Sequence, residues 1–442
     1  MERPLLQRAR QVAAREGRLV LRPARWVGLG AVSGVLAGVS SFVFLAGLEL
    51  VTETRLAHPW LLYLLPLAGL AIGSAYHYLG GRSARGVGLL IDEIHEPTEW
   101  VPRRMAPLVL VGTWTTHLFG GSAGREGTAL QMSGSLSDVV ARVFGLDEHD
   151  RRVLLIAALA GGFGAVFGVP MAGTVFALEV QSIGRLQFDA LVPALTAAIV
   201  GDRVCRALGA RHAVRTPVDV PLDVAVLLKV VVAGVAFGLA GTVFAVLTHR
   251  LKSLLARHVG WPPLRPVLGG LAIVGLATVF GRAYLGLSLP LADEALAGVK
   301  LSFAVFALKL LFTAVTLGSG FPGGEVTPLF VIGSTLGAAL AGPLHLPVPV
   351  LAAIGLVAVF AGASNTPLAC TMLGVEVFGA GLIVPLAIGC VAAYVFSTHH
   401  GIYPTQRVVV SKRGGSSATG TGAGADGDGD APGTGWADDH PS

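Results

Sequence analysis

The chain has 442 residues, of which 53% are hydrophobic and only 13% are charged. A soluble domain carries roughly 25% charged residues, so this composition excludes an ordinary soluble enzyme or binding domain and indicates a membrane protein. The formal net charge of +5 comes from basic residues scattered among loops, which argues against nucleic acid as a partner.

The first 25 residues form a basic segment. They contain seven arginines and two glutamates, with leucines and valines between them. Positive charge beside a first span predicts a cytoplasmic amino end, and the mixture of arginine and leucine predicts an amphipathic helix on the inner leaflet. A disordered basic arm is the alternative. No cleavable signal peptide is expected, because the pattern of a signal peptide is not found here.

Long apolar stretches follow the basic segment. A membrane-spanning helix needs about 20 apolar residues, and the candidate stretches are 27–50, 60–79, 153–180, 224–247, 267–280 and 348–363. Some are short or interrupted by glycine and proline, so we expect broken helices beside complete spans. The three cysteines lack metal-site spacing and are interpreted as apolar core residues, and no metal or cofactor is expected.

The second half of the chain repeats the first at an offset near 200 residues. The matched segments are 69–72 with 270–273, 121–122 with 318–319, 124–128 with 323–327, 134–135 with 333–334 and 170–180 with 367–377. Five matches in one order predict two membrane repeats, at 26–205 and 222–410. The remaining parts are the basic segment (1–25), a linker (206–221) and a tail (411–442) whose composition indicates disorder. Two such halves favour a transporter or channel with its site between them, whereas a duplication kept only for packing is the alternative.

Two glycine-rich segments precede helical patterns at equivalent places in the repeats. They span residues 120–128 and 318–328, and the helices are predicted at 129–144 and 329–340. Glycine lets backbone N–H groups approach a ligand closely, and a helix start concentrates unpaired donors and partial positive charge. Two opposed helix starts therefore predict an anion site that needs no buried cation.

Glu126 stands where the anion is expected. An ionised carboxylate there competes for the same N–H donors and withdraws when it is protonated, which would couple anion passage to protons. The alternative is a static ion pair between Glu126 and Arg125, which leaves the surrounding glycines unexplained.

These residues resemble the CLC family of chloride channels and anion/proton antiporters, from about residue 27 to residue 407. The sequence Gly124-Arg125-Glu126-Gly127 resembles the family's gating motif, the segment 318–328 resembles its second pore motif, and Tyr403 falls at the pore tyrosine. The resemblance implies an all-α polytopic fold (CLC-type) of tilted and broken helices in two inverted repeats. It also implies a homodimer in the cell (plasma) membrane with one pore per subunit. Inversion places the linker outside the cell, although its arginines run against the positive-inside rule.

Several departures resemble the fluoride-exporting branch of the family. Thr128 replaces a proline, Glu325 and Thr327 replace apolar residues around Gly324 and Val326, and Val87, between Gly86 and Gly88, replaces the pore serine. Val87-Gly88 and Pro322 are nevertheless unexpected in that branch. A protonated carboxyl or a threonine hydroxyl suits fluoride, a strong hydrogen-bond acceptor, so Glu325 is predicted to be neutral or cation-paired during turnover. The alternative has Glu325 satisfying N–H groups at the helix start.

The sequence therefore predicts transmembrane transport of a small halide through a gated pore. The expected activity is proton-coupled fluoride export, with a chloride channel or chloride/proton antiporter as the alternative. A membrane enzyme is disfavoured because no zinc motif or nucleophile with a histidine partner is found. Glu179 and Glu376 are interpreted as acceptors of buried donors, and Lys309 as a residue that snorkels or binds carbonyls.

Overall fold

The computed structural model describes residues 2–212 and 222–412, with side chains from residue 23 onward. Most of the predicted linker, nearly all of the predicted tail and the side chains of most of the basic segment lie outside the described residues. The first half contains the helices α1 (Glu2–Ala57), α2 (Leu65–Ala75), α3 (Val87–His95), α4 (Met105–Leu118), α5 (Glu126–Val143), α6 (Glu148–Phe167), α7 (Pro170–Glu179) and α8 (Leu191–Ala207).

The second half repeats this series of long, short and broken helices. It contains α9 (Val224–His258), α10 (Leu264–Phe280), α11 (Leu289–Leu296), α12 (Phe303–Gly318), α13 (Val326–Leu344), α14 (Val348–Ser364), α15 (Pro367–Phe378) and α16 (Ile383–Phe396). A two-stranded parallel sheet joins β1 (Ser182–Ile183) to β2 (Arg407–Val408). Among the described residues, the helical stretches long and apolar enough to cross a bilayer are Pro23–Ala57, Pro59–His95, Val224–His258 and Val326–Leu344.

The apolar stretch predicted at 153–180 is two helices rather than one. Gly168 ends α6 with a left-handed backbone (φ 75°), and Pro170 is the first residue of α7. Asn365 (φ 60°) and Pro367 separate α14 from α15 in the same way. Proline lacks an N–H and fits the first position of a helix, so a new helix starts within the apolar stretch 153–180 and another directly after the stretch 348–363.

Reciprocal contacts relate the two halves by an approximate two-fold axis. Glu179, at the end of α7, accepts the N–H groups of Leu368 (3.1 Å) and Ala369 (2.8 Å) in α15. Glu376, in α15, accepts those of Met171 (3.0 Å) and Ala172 (2.7 Å) in α7. Each carboxylate thus satisfies otherwise unpaired donors at a helix start. The interpretation of both glutamates as acceptors of buried donors is confirmed.

Two interactions fix the segments that surround the candidate pore. The Arg151 guanidinium, on α6, binds Asp138 of α5 (2.6 Å) and Glu93 of α3 (3.2 Å), so one buried cation joins three helices. The Gln406 side chain donates to the carbonyls of Val180 (2.7 Å) and Ser364 (2.8 Å). This second interaction and the β1–β2 pair hold the segment that contains Tyr403 against the ends of α7 and α14.

Candidate functional site

The glycine-rich segments of the two halves meet at one point. Gly124 N–H donates to the Gly324 carbonyl (2.7 Å), and Gly324 N–H donates to the Gly124 carbonyl (3.0 Å). Helix α5 begins two residues after Gly124, and α13 begins two residues after Gly324. The helices start earlier than the sequence predicted, at residues 126 and 326, which brings both first turns to the meeting point.

The Glu126 carboxylate occupies the start of α13. It accepts hydrogen bonds from Val326 N–H, from Thr327 N–H (3.2 Å) and from the Thr327 hydroxyl (2.9 Å), and also from Arg125 N–H (3.0 Å). The side chain is fully buried. A cluster of converging donors at a helix start binds a negatively charged group, and here that group is the carboxylate of the opposite half.

Gly324 and Gly124 leave the space that this carboxylate fills. A Cβ atom at Gly324 would lie 2.1 Å from Glu126 Oε1, and one at Gly124 would lie 2.7 Å from the same oxygen. Gly127 also packs closely, since its Cβ would lie 3.2 Å from the Gly324 α-carbon. The close approach of side chain to backbone therefore requires glycine at residue 324.

Arg125 does not neutralise Glu126 through a static pair. Its guanidinium carbon lies 5.4 Å from the centre of the Phe167 ring, which is a cation–π contact. Among the described residues, the ion pairs within 4 Å do not include one between Arg125 and Glu126. The backbone N–H of Arg125 contacts the carboxylate, and the side chain packs elsewhere.

Glu325 precedes α13 without capping it. The residue occupies the N-cap position, yet its side chain makes no capping hydrogen bond, because Glu126 takes the N–H groups of Val326 and Thr327. The alternative that Glu325 satisfies the helix start is therefore wrong. Glu325 lies within electrostatic range of Glu126 and of Lys252, so two carboxyl groups share this region.

The two threonines that the sequence repeat matches, Thr128 and Thr327, have different partners. The Thr327 hydroxyl donates to Glu126, whereas the Thr128 hydroxyl is bonded to Thr113 of α4 (2.7 Å). The structure thus brings Thr327 to the carboxylate and pairs Thr128 with a neighbouring helix.

The remaining predicted residues lie in two segments, 86–88 and around residue 403, that contact each other or Gln131 of α5. Gly86 has φ 61° and lies beside Gln131, whose amide donates to the Gly127 carbonyl (3.1 Å). Val87 is the first residue of α3 and is buried. A Cβ at Gly88 would lie 3.3 Å from the side chain of Thr405, two residues after Tyr403. Tyr403 is buried and lies within electrostatic range of Glu126 and Glu325.

Gln131 and a row of aromatic rings are residues that sequence reasoning missed. The ring-to-ring distances run from Phe167 to Phe330 (5.3 Å), Phe330 to Phe360 (5.7 Å), Phe360 to Phe176 (6.0 Å) and Phe176 to Tyr403 (6.3 Å). Arg125 lies over the first ring of this row. The repeat contained the signal, because Gln131 and Phe330 each stand five residues after a repeat-equivalent glutamate.

Lys309 binds carbonyls and hydroxyls and does not snorkel to the surface. Its ammonium donates to Ser122 Oγ (2.9 Å), Ser288 Oγ (2.9 Å) and the carbonyls of Gly286 (2.9 Å) and Tyr284 (3.3 Å). Of the two interpretations that the sequence left open, the structure supports the one in which Lys309 binds carbonyls. In the part of the chain that the structure describes, no group of three metal-ligating side chains is found.

Comparisons with known proteins agree with this arrangement. A chloride/fluoride channel protein of Pseudomonas syringae pv. tomato is 47% identical over 399 residues, which are 88% of each chain. The H(+)/Cl(-) exchange transporter ClcA of Cronobacter sakazakii is 27% identical over 420 residues, covering 87% of this chain and 89% of that one. The crystal structure of a CLC-type fluoride/proton antiporter matches with a TM-score of 0.85 at 36% identity, covering 88% of this chain and 99% of the other.

The family model described as the voltage-gated chloride channel matches residues 68–398. The resemblance inferred from the pore motifs is confirmed, and so is the all-α polytopic fold with two inverted halves. The chain is therefore a membrane protein that belongs to the voltage-gated chloride channel (CLC) family of channels and transporters.

Proposed function

We propose that this protein exports fluoride across the cell membrane in exchange for protons, with Glu126 as the gate. The observation that carries the proposal is the Glu126 carboxylate bound by the backbone N–H groups of Val326 and Thr327 and by the Thr327 hydroxyl. These donors suit any small anion. Glu126 and the transported ion therefore compete for one set of hydrogen bonds.

Proton coupling follows from the charge of the gate. The ionised carboxylate accepts four hydrogen bonds and fills the site, so an anion is excluded. When Glu126 gains a proton it loses its negative charge, and one of its oxygens becomes a donor, so it holds the N–H groups less strongly. The donors then become available to an anion, and the proton moves with the side chain. One site that holds either the carboxylate or the anion links the two movements.

The fluoride preference rests on groups beside the gate and on the relatives. The Thr327 hydroxyl is a donor at the site, and Glu325, when protonated, is a second neutral donor within electrostatic range of Glu126. Fluoride gains more from such donors than chloride does, because its charge is more concentrated. Two proteins similar to this chain support the preference, because one is a chloride/fluoride channel protein and the other is a CLC-type fluoride/proton antiporter.

Chloride transport is the second candidate. ClcA of Cronobacter sakazakii, a more distant relative, is an H(+)/Cl(-) exchange transporter, and the backbone donors at the start of α13 do not themselves distinguish the two halides. A chloride transporter in this family is expected to move chloride at least as fast as fluoride, whereas the proposed exporter is not.

Purified protein in liposomes tests both candidates. Vesicles loaded with fluoride or chloride are diluted into halide-free buffer, and halide release and proton uptake are recorded with electrodes. We expect fluoride release with proton uptake and little chloride release. The variant Glu126→Gln should abolish proton uptake, because its side chain cannot be ionised. Proton uptake that persists in Glu126→Gln would reject this residue as the gate.

We also infer the arrangement of the protein in the membrane. The seven arginines of residues 1–25 support a cytoplasmic amino end, and the division into repeats at 26–205 and 222–410 is supported by the reciprocal contacts of Glu179 and Glu376. Family membership supports a homodimer in a lipid bilayer and a role as a transporter rather than an enzyme. Chemical crosslinking in membranes and labelling of single cysteines from each side test the assembly and the orientation.

A further inference from the structure

A guanidinium without a protein partner lies beside the loop of residues 120–124. Arg55, in the last turn of α1, is partly buried, and its Nε is buried without a hydrogen-bond partner. In residues 23–212 and 222–412, no hydrogen bond or ion pair involves this side chain. Arginine keeps its proton in proteins, and a charge removed from water is costly unless a partner compensates it. A partner of opposite charge is therefore expected at Arg55.

His117 places a second unpartnered nitrogen at the same point. It lies near the end of α4 and is buried, and its Nδ1 has no partner. Its Nε2 lies 3.5 Å from the Gly124 carbonyl, which is long for a hydrogen bond, so the ring can carry its proton on Nδ1 and donate from there. Within the described ranges the charged groups that act on His117 are the basic residues Arg55, Lys309 and Arg125. Because the two arginines stay protonated, this region is positive whatever the state of Lys309.

Gly286 leaves a space between these two side chains. A Cβ atom at Gly286 would have as its nearest neighbours Arg55 Nη2 (3.1 Å), Arg55 Cζ (3.7 Å) and His117 Nδ1 (3.7 Å). The backbone there has φ 63°, which favours glycine. Hydrogen bonds from Gly286 N–H to the Gly121 carbonyl (3.1 Å) and from Lys309 to the Gly286 carbonyl (2.9 Å) hold the segment in place. Nitrogen donors of two basic side chains thus border a space left by a missing side chain.

This space lies on one side of the gate. His117 contacts Gly124, which precedes Glu126 by two residues, so the α-carbons of Gly124 and Glu126 are at most about 7 Å apart. Arg55 stands near the end of the stretch Pro23–Ala57, which is long enough to cross a bilayer. With the amino end in the cytoplasm, Arg55 lies toward the outside of the cell.

We propose that Arg55 and His117 bind a small inorganic anion beside Gly286, and that this site receives fluoride on its way out from the gate. This inference rests on the proposed function and orientation. The guanidinium donates from the solvent side and His117 donates from Nδ1, and the anion supplies the negative charge that the described residues lack here. The site is separate from the N–H groups of Val326 and Thr327 that the Glu126 carboxylate occupies.

Removal of the guanidinium should weaken the apparent affinity for fluoride. In liposomes that contain Arg55→Gln, we expect the half-saturating fluoride concentration to rise about tenfold, since a charge-assisted hydrogen bond is lost. The ratio of fluoride to protons should stay at the wild-type value, because Glu126 is untouched. Arg257→Gln, which removes an exposed arginine from the last turn of α9, is the control. A change of maximal rate alone, with the wild-type half-saturating concentration, would make Arg55 structural and overturn the proposal.

A methyl group at residue 286 should act in the same direction. Gly286→Ala fills the space between Arg55 and His117, so we expect a similar rise in the half-saturating concentration. Gly281→Ala is the matched control, because this glycine also has a positive φ (88°) but has open space around it. Both variants carry the same kind of backbone strain, and only the first blocks the site. Equal half-saturating concentrations in the two variants would overturn the proposal.

A binding measurement separates this site from the proposed function. Calorimetric titration of the purified full chain with sodium fluoride requires no transport, and we expect Arg55→Gln to weaken binding about tenfold. If the liposomes release no fluoride and this difference in binding is still found, the function is rejected and the site stands. Equal binding by wild type and Arg55→Gln, or no binding by the wild type, would overturn the site even in a protein that transports fluoride.

Discussion

The sequence repeat matches two pairs of glutamates, Glu179 with Glu376 and Glu126 with Glu325, and only the first pair makes equivalent contacts in the two halves. Glu179 and Glu376 make matching contacts, because each accepts two N–H groups at a helix start in the other half. Glu126 occupies the start of α13, but among the described contacts Glu325 does not bind the start of α5. The symmetric pair stabilises the fold, and the candidate anion site lies where the symmetry is broken.

A shift of one residue explains the broken symmetry. Glu126 is the first residue of α5, whereas Glu325 is the N-cap residue that precedes α13. Successive residues of a helix are rotated by about 100° around its axis, since a turn contains 3.6 residues. The two side chains therefore leave their helix starts in different directions. Glu126 reaches across to the opposite half, and Glu325 remains beside it.

Displacing the Glu126 carboxylate from the start of α13 should have the largest effect on transport. Gly324→Ala places a Cβ atom 2.1 Å from Glu126 Oε1, so the carboxylate cannot keep its hydrogen bonds. We expect fluoride release to lose most of its pH dependence and proton uptake to fall about tenfold or more, equivalent to the loss of one or two hydrogen bonds to a charged group. Gly342→Ala is the control, because that glycine lies in the same helix with open space around it. Equal behaviour of the two variants would contradict the assigned site.

Neutralising Glu325, the other member of the pair, should lower the pH at which transport is half-maximal. Glu325→Gln removes a carboxyl group within electrostatic range of Glu126. At a pH at which Glu325 is ionised, its negative charge favours the protonated form of Glu126, so its removal means that Glu126 gains its proton at lower pH. We expect the pH of half-maximal fluoride release to fall by about one unit, with a lower maximal rate. Unchanged release and unchanged pH dependence would exclude Glu325 from the mechanism.

Replacing either member of the symmetric pair, Glu179 or Glu376, should lower the stability of the protein and leave the coupling of fluoride to proton movement unchanged. Glu179→Gln and Glu376→Gln each leave one of two N–H groups poorly satisfied at a helix start, which costs about 1–3 kcal/mol. Thermal unfolding in detergent should show both variants below the wild type, with the smaller loss for the less buried Glu376. Their fluoride release should keep its ratio to proton uptake. A changed ratio in either variant would give that glutamate a part in transport.

Replacing Thr327 should have the smallest of these effects, and Thr128 provides the matched comparison. Thr327→Val removes a hydroxyl that donates to Glu126 but keeps the shape of the side chain, and the backbone donors remain. We expect a rise of a few tenths of a unit in the pH of half-maximal release, because one of several hydrogen bonds to the charged form is lost. Thr128→Val, whose hydroxyl is bonded to Thr113, should not move this pH. A larger shift in Thr128→Val than in Thr327→Val would reverse the assignment.

The sequence predicted the parts of this site that depend on backbone geometry and on the repeat. Glycine segments before helical patterns indicated the meeting point, and Glu126 was assigned as the gate from its position at a helix start. The position of the break at Gly168 was not predicted, because an apolar stretch has a similar composition with or without a turn inside it. The partners of Lys309 were also beyond prediction. They come from residues 122 and 284–288, which only the packed fold brings together.

The Glu126 carboxylate binds mainly to main-chain donors, which constrains how the sequence around it can vary. Exchange of the Val326 side chain leaves its N–H group in place, so point mutation cannot remove that donor except by proline. Exchange of surrounding side chains such as Glu325 and Gln131 leaves these main-chain donors in place and changes only the groups beside them. A pocket of this kind persists while its selectivity diverges, which suits one protein architecture to many different ions.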